Sequence, residues 1–227
     1  MHWRVVEEPI SRLSEHGRLP ISFRVDRRFE VTPIEAGLGG IAFQERSVAR
    51  PYIKDYDAIE GEEPTRWAGR WDLANWGLIS AFLQGDWVGG AVLAFDTEGL
   101  DMLEGRKDLA VLWDIRVHSD HRRHGLGCAL FLASETWARA RGCRRLKVET
   151  QNINVPACRF YAKQGCVLGS INRFAYPDFP DEVQLLWYKD LADLDPPAAA
   201  VDRPAGAVFE SATHALGGPG RRPADGQ

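Results

Sequence analysis

Residues 109–142 constrain this chain more than any other stretch. Leu109–Val117 (LAVLWDIRV) is an apolar run broken only by Asp114 and Arg116, with no glycine or proline inside it. That pattern predicts a buried strand. From Gly125 to Arg141 the period changes. Leu126, Ala129, Leu130, Ala133 and Trp137 recur three and four residues apart, as on one face of an amphipathic helix. Gly142 stands where a helix-ending glycine belongs. Between strand and helix lies Arg122-Arg123-His124-Gly125-Leu126-Gly127. Glycines without a Cβ let backbone N–H groups turn inward. The following helix start adds unpaired donors and partial positive charge. The combination is an anion site, and Arg122 and Arg123 add full charges.

The kind of anion can be narrowed. No Gly-Lys-Ser/Thr ending is present, which argues against a nucleoside triphosphate loop, and the pattern is not the G-x-G-x-x-G of a dinucleotide fold. A diphosphate held by strand, turn and helix alone remains, as in coenzyme A. The plainer reading is an ordinary basic strand-to-helix turn.

The other elements alternate around this unit. Ile21–Val31 has strand spacing, and Gly39–Arg50 is expected to be helical. Leu78–Leu83 and Trp87–Phe95, joined by Gln84-Gly85-Asp86, predict a hairpin. Arg144–Thr150 alternates as a strand. A short helix follows, with Asn154 as N-cap, Pro156 in its first turn and Gly165 as its stop. Cys166–Gly169 and Val183–Lys189 complete the strands. The expected fold class is α/β (α+β), a mixed sheet flanked by helices. The expected divisions are an N-terminal extension over 1–19, a domain over 20–192, and a disordered tail over 193–227. The tail is dense in Pro, Ala and Gly with too few large apolar residues to offset ordering entropy.

Composition is that of an ordinary globular chain, with 44% hydrophobic and 26% charged residues and a formal charge of −4. No apolar run reaches the roughly 20 residues that span a bilayer, and Met1–Ile10 has no signal-peptide core, so a cytoplasmic location is expected. Cys128, Cys143, Cys158 and Cys166 form no C-x-x-C pair and are expected to stay reduced as structural residues, with Cys128, Cys158 and Cys166 in the core. His118, His121 and His124 sit in and before the anion loop rather than on a periodic helix face, so no metal is expected. Lys54–Glu104 holds three basic and eleven acidic residues, and Asp114–Glu149 holds eight basic and four acidic. The second stretch suits a polyanionic ligand and the first a cationic one. Nucleic-acid binding is disfavoured by the negative total. Solvated acidic loops are the plainer reading of the first stretch.

Two motif blocks together carry a resemblance. Arg122–Gly127 matches the Arg/Gln-x-x-Gly-x-Gly/Ala motif of the GNAT superfamily of N-acetyltransferases, and Glu149–Tyr161 (ETQNINVPACRFY) resembles its strand–Asn-x-x-Ala-x-x-x-Tyr block. Within the superfamily the chain is most similar to streptothricin acetyltransferases, through Pro51–Asp57, Asn75–Gly77, Val88–Ala91 and Leu186–Tyr188. Cys166 departs from the aromatic usual there. The resemblance covers about residues 20–190. It implies acetyl-CoA as cosubstrate and direct attack by the amine of a small cationic acceptor, the β-lysine of streptothricin above others, which would confer antibiotic resistance.

The same resemblance implies the site residues. Ile115, Arg116, Val117, Arg122, Arg123, His124, Gly125, Leu126, Gly127, Cys128, Asn154, Ala157 and Phe160 are the cofactor contacts. The Val117 N–H is the donor to the thioester carbonyl, and Tyr161 is the general acid. Asp114 and Glu149 are the candidate bases, because an amine of pKa about 10.4 arrives protonated. Their plainer readings are a salt bridge to an arginine for Asp114 and a solvent-facing strand residue for Glu149. Asp55, Tyr56, Asp57 and Trp76 are the expected acceptor contacts, with Trp67 and Trp71 as cleft walls or core. Other amine acceptors, or a non-catalytic acyl-CoA sensor, are the alternatives, and homodimerisation is left open.

Overall fold

The computed structural model describes residues 2–191 and 208–209. Leu109–Val117 is a central strand, as its apolar pattern requires, and the sheet around it has eight strands. In chain order these are β1 (Arg4–Glu8), β4 (Gly77–Leu83), β5 (Asp86–Phe95), β6 (Leu109–Val117), β7 (Arg145–Gln151), β8 (Val167–Asn172), β9 (Gln184–Asp190) and β10 (Val208–Phe209). Their spatial order is β10-β1-β4-β5-β6-β7-β9-β8. Only β6 and β7 pair in parallel, and all other neighbours are antiparallel. A separate antiparallel pair is formed by β2 (Phe23–Pro33) and β3 (Ile41–Lys54).

Strand alternation divides the core in two. Ile79 and Ala81 of β4, Ala91 and Leu93 of β5, and Ala110 and Leu112 of β6 face one side. There α2 (Leu126–Ala140) lays down Leu126, Leu130, Ala133 and Trp137, and α3 (Val155–Lys163) adds Cys158 and Tyr161. The intervening residues Leu78, Val92, Ala94 and Val111 face the other side. They are covered by Leu13 of the short α1 (Leu13–His16) and by Trp67 and Trp76. Gly142 has φ +76°, as the end of α2 requires, and Asn154 accepts from the Ala157 N–H at 3.2 Å as the N-cap of α3.

Three expectations are corrected, and a fourth falls outside the described residues. Gly39–Arg50 is not helical: residues 41–54 are strand, paired with β2 from Phe23↔Lys54 to Pro33↔Ile41. Its Gln, Glu, Arg and Ala content suits a helix locally, but pairing with β2 and stacking of Phe43 on Phe29 at 4.3 Å override propensity. The fold does not begin near residue 20, because β1 pairs with β4 from Arg4↔Phe82 to Glu8↔Leu78. Cys128 is exposed rather than core, while Cys143, Cys158 and Cys166 are buried free thiols. The expected tail over 193–227 lies outside the described residues apart from Val208–Phe209, a strand on the outer edge of β1.

Candidate active site

The parallel pairing of β6 with β7 runs only from Leu109↔Arg145 to Leu112↔Val148. Beyond it the strands part. On its other side β6 carries one extra residue, Trp113, because Leu93 pairs with Leu112 and Val92 with Asp114. Such a bulge bends a strand. The His118 N–H donates to the Val88 carbonyl on β5 at 2.9 Å. By strand alternation the Val117 and Ile115 N–H groups therefore point the opposite way, into the gap. The Val117 carbonyl also faces the gap and accepts from Arg122 Nε at 2.9 Å.

This split opens into a cleft of about 1090 Å³, framed by β6, β7, the loop before α2, α3, the end of β3 and the segment before β9. Ile115, Val117, Arg123, Gly125, Gly127, Cys128, Asn154, Ala157 and Phe160 line it, together with Tyr161 and Glu149. Arg123 and Gly125 have φ of +66° and +91°, so the loop turns its backbone sharply at two points. No side chain caps α2, and the first bond to a loop carbonyl is from Ala129 N–H to Gly125 at 3.1 Å. The Leu126, Gly127 and Cys128 amides are thus left as donors at a helix N-terminus. A Cβ on Gly125 would meet nothing within 4 Å, so its cost would be conformational. This cradle fits a diphosphate.

Several expected contacts are not made by side chains. Leu126 is buried in the core and can offer only its backbone, and His124 is exposed and does not line the cleft. The Arg122 guanidinium ties the loop to Val117 and to the Pro20 and Ser22 carbonyls. Arg116 lines the cleft but is 2% exposed, with its guanidinium bound to Asp114, Asp57 and the Leu19 carbonyl. Asp55 is exposed and outside the cleft. Trp76 belongs to a four-tryptophan cluster in which it and Trp67 are buried and Trp71 and Trp113 partly so, its indole N–H donating to Thr97 at 3.0 Å.

Asp114 is not a base. His16 Nε2 lies 2.8 Å from one oxygen, and Arg116 grips both. Burial opposes its ionisation, but His16 and Arg116 outweigh that and bring the carboxyl down to about 2. A carboxylate this weakly basic, with both oxygens already bound, is a poor acceptor for an amine's proton. It is the salt bridge of its plainer reading.

The remaining cleft carboxylates sort by partner. Asp57 binds Arg116, Glu62 binds Arg70 at 2.9 Å, and Glu182 binds Lys54 at 2.6 Å. Among the described residues Glu149 and Asp178 have no basic partner, and Asp178 is exposed. Glu149 is half-buried on β7, just past the point where β6 leaves it, and accepts from Tyr176 Oη at 2.5 Å and Gln184 Nε2 at 2.8 Å. Tyr161 faces the cleft from α3, and burial pushes its phenol well above the ordinary value. His16, Lys54, Gln151 and Tyr176 were missed in the sequence. Lys54 and Gln151 lie inside two of the resemblance stretches without a role of their own, His16 and Tyr176 lie outside them, and all four reach the site through long-range packing.

The Acetyltransferase (GNAT) family model matches residues 44–166, more than half of the chain. The chain belongs to the GNAT acetyltransferases. Members of this family are N-acetyltransferases with acetyl-CoA as acyl donor, and the cradle of residues 122–128 is the part of this chain that fits its diphosphate. The chain is 32% identical over 162 residues to streptothricin acetyltransferase of Escherichia coli, covering 70% of this chain and 82% of that one. It is 29% identical over 153 residues to streptothricin acetyltransferase A of Bacillus subtilis (strain 168), covering 64% and 78%. Among solved structures, nourseothricin acetyltransferase shares the fold with a TM-score of 0.65 at 24% identity, over 84% of this GNAT chain and 99% of that one. A Bacillus anthracis structure described as a putative streptothricin acetyltransferase in complex with acetyl coenzyme A has a TM-score of 0.63 at 24% identity, over 83% and 99%. No helix among the described residues is long and apolar enough to cross a membrane.

Proposed function

We propose that this enzyme acetylates a primary amine of a small cationic compound in the cytoplasm, and that the amine belongs to the β-lysine part of streptothricin. The observation that carries the reading is Glu149, the half-buried cleft carboxylate with no basic partner among the described residues. It offers an ammonium group a counter-charge and a proton acceptor beside the split strands. The names of the relatives at 29% and 32% identity support streptothricin as the acceptor.

Acetyl-CoA supplies the activated carbonyl that the amine attacks. The amides of residues 126–128 hold its diphosphate, and the Ile115 and Val117 backbones, turned into the gap, hold its extended arm. The Val117 N–H donates to the carbonyl oxygen, where negative charge develops. Glu149 takes the proton that a lysine-like amine of pKa about 10.4 carries at neutral pH. Tyr161 Oη gives its proton to the sulfur as the carbon–sulfur bond breaks, and the second proton lost by the nitrogen on amide formation restores the phenol. Burial keeps that phenol protonated until it is needed. Acetylation removes one positive charge from the compound.

The test is incubation with acetyl-CoA and streptothricin, read by mass spectrometry. A product heavier by one acetyl group on the β-lysine amine is expected. Turnover of only an aminoglycoside-like drug, polyamine or peptide would retract the acceptor, and failure of all four would retract the catalytic reading.

A further inference from the structure

Three of the four residues 54–57, at the end of β3 and just beyond it, are anchored to three different elements. Lys54 Nζ binds Glu182 Oε1 at 2.6 Å, in the segment before β9. Both side chains are about one-tenth exposed, and the ammonium lies 3.8 Å from the centroid of Phe179. Tyr56 Oη donates to Gln151 Oε1 on β7. Asp57 takes both Nη atoms of Arg116 on β6, at 2.6 and 2.8 Å. Arg116 is itself fixed by Asp114, and Asp114 by His16. The Gln151 amide then donates to Tyr176 Oη, which donates to Glu149.

The positions of these anchors matter. Gln151 is on β7 and Arg116 on β6, both past the last paired residues, Leu112 and Val148. Backbone pairing does not hold the two strands together there. Tyr56, reaching β7, and Asp57, reaching β6, tie the two strands to one short segment instead. A bidentate arginine–carboxylate pair is directional as well as strong, and one that is three-quarters or more shielded from water holds its geometry best.

We propose that Lys54–Asp57 is a strut that sets the width of the gap between β6 and β7 on the acceptor side, and that Asp57 and Tyr56 are positioning residues rather than ligands of the acceptor. Asp57 is spent on Arg116, so it is not a counter-charge for a cation. Tyr56 acts through Gln151 and Tyr176 on the carboxylate of Glu149. Acceptor binding and the placing of the amine depend on the strut, whereas the diphosphate cradle at residues 122–128 is built from the loop before α2 and the helix's first turn and does not. The inference rests on the proposed acetyl transfer only where acceptor kinetics are used.

The variant to make is Asp57→Asn, because the Asp57 side chain is still one-quarter exposed and its loss leaves Arg116 bound to Asp114. Hydrogen exchange of residues 55–63 in the ligand-free full-length protein, acetyl-CoA binding by calorimetry, and acceptor kinetics are measured together. Faster exchange at 55–63, a KM for the acceptor raised by about tenfold, and acetyl-CoA affinity within about twofold are expected. Asp57→Glu, which keeps the carboxylate, should recover part of the KM. Unchanged exchange would overturn the strut whatever the kinetics show. Equal losses in acetyl-CoA and acceptor binding would overturn it as well, marking Asp57 as a general stability residue. If the wild-type protein leaves streptothricin untouched, the acceptor assigned above is retracted and the exchange experiment alone decides the strut.

Discussion

Tyr161 sits on α3 with its ring in the core and its hydroxyl without a protein partner among the described residues. It faces the cleft, so its proton is available to a ligand. Tyr161→Phe should lower kcat by about a hundredfold while acetyl-CoA affinity and Tm stay near wild type, since proton transfer of this kind contributes about 10²–10⁴-fold. A non-catalytic sensor would show no such loss. Glu149→Gln should lower kcat/KM for the acceptor, and the deficit should shrink as pH rises toward the pKa of the amine, because the acceptor then arrives neutral. A pH–rate profile of both proteins checks this. Asp114 predicts a stability effect instead. Its folded pKa is depressed to about 2 against about 3.9 in an unfolded chain, so its contribution is complete above about pH 4 and is lost as pH falls toward 2. Asp114→Asn should flatten that part of the acid-unfolding curve and cost about 3–5 kcal/mol at neutral pH by leaving Arg116 and His16 short of their shared partner.

At the scale of elements, the unit β6–loop–α2 was legible because each part carries its own local signal. The strand is apolar without Gly or Pro, the helix has a 3.6-residue period, and the turn between them has glycine where φ is +91°. The β4–β5 hairpin was legible for the same reason: Gln84 and Gly85 both take positive φ, +54° and +99°. β3 was not legible, since its partner β2 is not implied by its own composition. Glycines also report contacts that no local pattern encodes. A Cβ on Gly90 of β5 would lie 2.6 Å from His16 Nδ1 and 3.1 Å from the Ile79 carbonyl. Gly90→Ala should therefore destabilise the protein by about 1–3 kcal/mol, measured by denaturant unfolding, through displacement of His16 from Asp114.

For the molecule as a whole, the N-terminal residues are the clearest case of structure deciding what sequence left open. Residues 1–19 carry no motif, yet β1 covers the edge of β4, Trp137 Nε1 donates to Glu7 at 2.8 Å, and His16 is fully buried against Asp114. Removal of residues 1–19 should give a protein with a lowered Tm and a tendency to associate through the bared strand, seen by calorimetry and light scattering. The sequence by itself determined the anion cradle, the helix that backs it, the phenol on α3 and the family these belong to, because spacing along a few residues fixes backbone geometry there. Which carboxylate is free was decided only by tertiary structure. Asp57, Glu62, Asp114, Glu149 and Glu182 are chemically alike along the chain, and pairing with Arg116, Arg70, His16 and Lys54 in the folded chain leaves only Glu149 of these five without a cationic partner among the described residues.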